Sequence, residues 1–146
     1  MSEQQLRQTV NALDVGRAQL ENVSRQQEIL RGTLEEHLRA KETVEAFTKA
    51  KKGEELLVPA GAGIFLHTEA SGRSTAVANI GAGVMMEKDL ADIVKLLESR
   101  IDELRKAAQE LDEQAEKISY AVEQLSAEAQ RQYTAMQQPE MPIKKK

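Results

Sequence analysis

From Leu90, steps of four and three residues taken in alternation reach Val94, Leu97, Ile101, Leu104, Ala108, Leu111, Ala115, Ile118, Val122, Leu125, Ala129, Gln132 and Met136. Every position in that series except Gln132 is apolar. A stripe of this period, sustained over so many heptads, needs a second helix to cover it, so it predicts a coiled coil. The intervening positions are mostly charged residues or Gln, as a solvated face requires. Asp102 with Lys106 and Glu113 with Lys117 stand at i,i+4 in the favourable order. Asp89 suits the N-cap, Asp92 adds negative charge to the first turn, and no Gly or Pro interrupts until Pro139. The helix is expected over 89–136.

The N-terminal stretch repeats the pattern less cleanly. Leu6, Leu13, Leu20, Gln27, Leu34 and Lys41 form one column at sevens. A second column opens with Val10 and Arg17, then shifts by one to Val23, Leu30, His37 and Val44, which reads as a local change in supercoil. Gly16 and Gly32 each weaken a helix by about 1 kcal/mol against Ala. The helix is expected over 1–52, with Gly53 as its C-cap and Lys49, Lys51 and Lys52 complementing the dipole. Each helix then runs about 47 residues, or roughly 70 Å at 1.5 Å per residue. Matched lengths fit an antiparallel pair joined by a compact middle, with both chain ends at one tip.

That middle, 54–87, differs in kind. Six of the eight glycines fall between Gly53 and Gly83. ELLVPAG, GIFLHTEA, STAVANIG and GVMMEK read as four short strands, with ASGRS as a turn between the second and third. Gly61-Ala62-Gly63 separates the first pair and Gly81-Ala82-Gly83 the second, so each pair reads as a hairpin or a sharply bent strand. The repeated Gly-Ala-Gly also invites a phosphate-loop reading. A dinucleotide loop needs a third glycine opening a helix, but Leu66 and Met86 stand there, and no Gly-Lys occurs for a P-loop. Hairpin geometry is the better reading.

Composition narrows the function. The chain has 146 residues, enough for one domain, with 30% charged residues, 3% aromatic residues and no Trp, as elongated helices favour. No Cys is present, so thiolate metal sites and disulfides are excluded. The two histidines, His37 and His67, lack a second ligand at metal spacing. The formal charge of −4 supplies no broad basic face for nucleic acid. Carboxylates lie along helix faces with no pocket to desolvate them, so catalysis is not expected, and no cofactor is called for. No apolar run approaches the roughly 20 residues of a membrane span, and MSEQQLRQTV has no signal-peptide core, so a cytoplasmic protein is expected. The stretch 137–146, ending in Lys144–Lys146, reads as a flexible, solvated tail.

Two surfaces stand out. Leu56, Leu57, Val58, Ile64, Phe65, Leu66, Val77, Ile80, Val84, Met85 and Met86 need burial that two small hairpins cannot provide. A sheet or barrel shared among several subunits would provide it and would cover the strand edges. At the tip, Leu6, Val10 and Leu13 should meet Val122, Leu125, Ala129 and Met136. A bare helix pair leaves part of such a cluster exposed, and exposed apolar patches mark interaction sites. Met136 and its Gln-rich surroundings suit an indiscriminate binder.

LLVPAGAGIFLHTEA and VANIGAGVMMEKDLADIVKLLESRIDELRK resemble the alpha class of prefoldin subunits, the archaeal type above all. Leu57-Val58-Pro59 running into Gly61-Ala62-Gly63 carries the resemblance, together with Gly81-Ala82-Gly83, Val84 and the Glu87-Lys88 turn into the second helix. It implies a mainly α fold in which a long antiparallel coiled coil is joined by two β-hairpins that form an oligomeric β-barrel base. It also implies a cytosolic, ATP-independent holdase: two alpha and four beta subunits in a hexamer whose tentacle tips hold unfolded polypeptides and deliver them to a group II chaperonin. Subunit assembly would fall to Leu57, Val58, Pro59, Gly61, Gly63, Ile64, Leu66, Val77, Ile80, Gly81, Gly83, Val84 and Met86. The alternative is a coiled-coil scaffold or adaptor that binds one specific folded partner.

Overall fold

The computed structural model describes residues 3–138. The expectations for Pro139 and the Lys144–Lys146 tail lie outside the described residues. Element order is α1 (Glu3–Lys49), β1 (Glu55–Gly61), β2 (Ile64–Glu69), β3 (Thr75–Asn79), β4 (Met85–Asp89) and α2 (Leu90–Gln137). The chain divides into two compact units. One, here called the terminal unit, comprises the chain up to Ile29 and from Ala108 onward; the other, the hairpin unit, is Leu30–Ala107.

In the terminal unit the two helical segments run antiparallel. Gly16 faces Val122, and Gln27 Nε2 donates to Asp112 Oδ1 at 2.7 Å. Leu13 and Val23 are buried, while Leu111, Ile118, Val122, Leu125 and Ala129 are half-buried along the facing seam. Fully burying a Leu or Val side chain contributes about 1.5–3 kcal/mol, so this stripe holds the segments together. The expected shift in the second α1 column is absent. Thr9, Gly16 and Val23 occupy the seam at an unbroken spacing of seven, and Val10 and Arg17 are exposed. Size explains the difference. A Cβ on Gly16 would sit 2.9 Å from Val122 Cγ2, so this seam position accepts only glycine at the observed separation.

In the hairpin unit Leu90, Ile93, Leu97 and Ile101 are the buried core residues of α2, opposite half-buried Leu30, Leu34, His37, Val44 and Phe47. Lys41 lies in the same stripe and extends its ammonium to Glu98 at 3.3 Å. Its stem covers apolar surface while its head stays in water, and an exposed pair of this kind contributes at most about 1 kcal/mol. Neither Asp102 with Lys106 nor Glu113 with Lys117 forms an ion pair among the described residues, although their spacing allows one. These exposed side chains lose more rotamer entropy on pairing than water-screened attraction returns.

α1 stops at Lys49, short of the expected Lys52, and Gly53 is not its C-cap. The chain instead turns through Lys51–Glu54, where Glu54 N–H donates to Lys51 O. Gly53, at φ +83°, directs its N–H to Ala70 O at 2.8 Å. Competition from the base of the first hairpin for that N–H ends the helix early. Asp89 precedes the first residue of α2, but its carboxylate makes no capping hydrogen bond among the described residues. β4 runs directly into α2, and Leu90 N–H donates to Ser74 O at 2.8 Å.

β1 and β2 pair antiparallel with Leu57 opposite His67 and Val58 opposite Leu66, and the register shifts between Pro59 and Gly61. β3 and β4 pair antiparallel with Val77 opposite Glu87 and Ala78 opposite Met86. Each is a separate two-stranded sheet. Both Gly-Ala-Gly turns carry three consecutive left-handed residues: Gly61 at 98°, Ala62 at 54° and Gly63 at 77°, then Gly81 at 119°, Ala82 at 50° and Gly83 at 74°. Only glycine reaches the values at the outer positions without strain, which accounts for the spacing of the repeat. The second turn is further closed by Asn79 Oδ1, which accepts from Gly81 N–H at 2.9 Å.

Candidate functional site

Side chains alternate across a strand, so the register assigns the faces. In the first hairpin Leu57 and Phe65 share one face, and Leu56, Val58 and Leu66 share the other. In the second, Val77 and Met85 share one face, and Ala76, Ala78 and Met86 the other. Both faces of both hairpins therefore carry large apolar side chains, and neither hairpin is hydrogen-bonded to a further strand. Nine large apolar side chains across the two hairpins stand open to solvent, from 44% exposed at Ile80 to 62% at Val77. Val58 and Pro59 are half-buried. Scattered exposed apolar residues are ordinary on a protein surface, but a cluster of this size marks an interface.

The hairpins are held firmly at their bases. Ala70 N–H donates to Glu54 O, extending the first ladder. Arg100, on α2, donates from its guanidinium to Asn79 O at 3.0 Å and ties the end of β3 to the helix. Thr75 Oγ1 donates to Glu87 Oε1 at 2.8 Å across the second hairpin. His67 is exposed, with Nδ1 3.0 Å from Glu55 Oε1. A recess of about 520 Å³ at the hairpin base is bounded by Phe47, Gly72, Arg73 and Leu90, among others. Arg73 and Asp89 are the charged residues that line it.

In the terminal unit the expected contact residues separate into two sets. Leu13 is buried at 6% exposure, and Leu6, Val122, Leu125 and Ala129 are half-buried in the seam. Val10 and Met136 are exposed. Four further exposed apolar side chains, Val15, Ile29, Tyr120 and Tyr133, escaped the sequence reading because they lie off the heptad columns. Beside the seam runs a groove of about 480 Å³ lined by Ala12, Val15, Ala121 and Leu125. A second depression of about 310 Å³ adjoins it and shares Gln19, Lys117 and Ile118. Gln132 fills the polar position of the α2 series and is buried at 8% exposure. Its Nε2 donates to Glu128 Oε1 at 3.2 Å, while its Oε1 has no hydrogen-bond partner. The Arg131 guanidinium, 2.6 Å from Glu128 Oε2, holds the Glu128 carboxyl below its usual value, and the Gln132 amide lowers it further.

Among the described residues, no group of three His, Asp or Glu side chains could hold a metal ion. Among the described residues, no helix is long and apolar enough to cross a membrane.

Comparison with known proteins agrees with this architecture. A family model described as "Prefoldin subunit" matches residues 17–135. The prefoldin subunit alpha of Nitrosopumilus maritimus is 30% identical over 144 residues, covering 99% of each chain. Prefoldin subunit alpha 1 of Thermococcus kodakarensis is 38% identical over 87 residues, 59% of each chain. Among solved structures, filamentous PFD from Methanocaldococcus jannaschii superposes with a TM-score of 0.64 at 20% identity, over 81% of this chain and 98% of that one. The prefoldin beta subunit from Thermococcus strain KS-1 gives 0.58 at 16% identity, over 92% and 95%. At those identities the two structures speak for the fold alone.

Proposed function

The chain belongs to the prefoldin family, and from that premise we propose that it is an alpha-class subunit of an ATP-independent holdase chaperone. The observation that carries the proposal is the pair of hairpins with large apolar side chains exposed on both faces, because a single chain has nothing to cover them. Leu57, Ile64, Phe65, Leu66, Val77, Ile80, Val84, Met85 and Met86 are buried when hairpins from several subunits close into β-barrels. Two alpha and four beta subunits make the assembly, which works in the cytoplasm without cofactor and without chemistry on the client.

The terminal units take the clients. Val10, Val15, Tyr120, Tyr133 and Met136 offer apolar contacts too small to hold a folded protein singly. Several such units in one assembly add by avidity, since one bound segment raises the local concentration of the next. An unfolded chain, with apolar segments spread along its length, satisfies that geometry and a folded protein does not. Release is to a group II chaperonin.

The test separates assembly from holding. The chain lacking residues 1–13 and 125–146 is mixed with a beta-class subunit, and complex size and suppression of client aggregation are measured. The complex should form at full size and lose suppression. Unchanged suppression would show that the terminal unit does not hold clients, and a chain that stays monomeric with the beta subunit would refute the assembly role.

A further inference from the structure

One flank of the terminal unit has a chemistry that the heptad pattern does not require. The two adjoining depressions beside the seam are rimmed by Asn11, Gln19, Asn22 and Gln26 from α1 and by Gln114 from α2. None of these five carboxamides makes a side-chain hydrogen bond among the described residues. The floor between them is Ala12, Val15, Ala121 and Leu125, where the small alanines open the space. Lys117 is the single charged residue lining either depression, and it lines both. It has neither ion pair nor hydrogen bond among the described residues.

A free carboxamide carries two donors and an acceptor, the same set that an extended peptide backbone presents in complement. A row of them can pair with backbone N–H and C=O groups whatever the side chains are. An apolar client side chain fits the Val15–Ala121 floor. The unpaired ammonium of Lys117 then distinguishes clients by charge, since a carboxylate beside the apolar anchor gains a partner and a cation meets a like charge. The surrounding unit does not dictate that preference, because its described residues hold ten carboxylates against five cations and would by themselves favour basic clients.

We propose that the groove along Asn11–Gln26 and Gln114–Leu125 is a client subsite that takes one extended polypeptide segment, read by its backbone through carboxamides and selected by Lys117 for a carboxylate next to an apolar anchor. The proposal rests on the reading of this chain as a client-holding subunit.

The experiment uses the full-length chain assembled with a beta-class subunit. Two fluorescent unstructured peptides share a Leu-Val anchor and differ only in flanking Glu or Lys, and anisotropy at low salt gives their affinities. The Glu-flanked peptide should bind about fivefold more tightly, the upper range for one exposed charge pair. Lys117→Met should remove the preference for the Glu-flanked peptide, leaving only the unit's own weak bias toward the Lys-flanked one, and Lys117→Glu should reverse the preference more strongly, with the assembly and its helical signal intact in both. A Glu-flanked peptide N-methylated at alternate backbone nitrogens should bind the wild type several-fold more weakly. Equal affinity for both peptides in the wild type, a preference unchanged in Lys117→Glu, or indifference to N-methylation would overturn the inference. Failure of the wild type to bind either peptide, or to protect any client, would instead overturn the holdase reading on which it rests.

Discussion

Two glycines in α1 face opposite fates when given a methyl group, and the contrast measures how tightly the helices pack. Glycine inside a helix costs about 1 kcal/mol against alanine. At Gly32 an added Cβ meets nothing within 4 Å, so Gly32→Ala should stabilise the chain by about 1 kcal/mol. At Gly16 the Cβ would lie 2.9 Å from Val122 Cγ2. Valine is stiff at χ1 in a helix, so Cγ2 cannot swing aside, and overpacking of this kind costs about 1–3 kcal/mol. The overlap offsets or exceeds the propensity gain, and Gly16→Ala should be neutral or destabilising by up to about 2 kcal/mol. Val122→Ala removes the obstructing atom. In that background Gly16→Ala should recover its full gain, a coupling of about 1–3 kcal/mol in the double-mutant cycle. Urea unfolding followed by the helical signal at 222 nm reads all four variants. Equal stabilisation by Gly16→Ala and Gly32→Ala, with no coupling to Val122, would refute the close approach of the helices at Gly16.

Other consequences are equally direct. Gln132→Leu removes a buried carbonyl oxygen that has no partner and should raise stability by about 1–3 kcal/mol, read as a higher urea midpoint. Ala62 and Ala82 hold left-handed backbone at a cost of roughly 1–2 kcal/mol each, so Ala62→Gly should raise the melting temperature and Ala62→Val should lower it. The Glu128 carboxyl titrates below its usual value because Arg131 and Gln132 favour the anion. Its contribution is therefore present above the unfolded value and lost as pH falls through the lower folded one. Arg131→Gln should move the Glu128 titration, followed by carboxyl NMR, upward toward the usual value.

The C-terminal helix could be read directly because its seam is written in Leu, Ile, Val and Ala. The seam of α1 was harder to read because Thr9 and Gly16 hold positions that the heptad gives to apolar residues, while Val10 and Val15 sit outside it. Apolarity misleads there because the selecting property is volume. Hairpin existence followed from the Gly-Ala-Gly repeat, but the end of α1 did not, since it depends on a hydrogen bond from Gly53 to Ala70, far along the chain. The exposed apolar side chains of the hairpins were legible for a simple reason: too many large apolar residues crowd a stretch too short to bury them. The carboxamide flank was invisible. Asn and Gln look like neutral filler until the pairing of the helices sets five of them along one groove.

The apolar side chains exposed on the two hairpins also impose a rule of supply. A chain released without companions displays nine large apolar side chains on two hairpins, and so resembles the damaged proteins that cellular quality control removes. Surplus subunit is therefore a liability and not a reserve. Its synthesis must keep pace with that of its partners, and its lifetime as an orphan should be short.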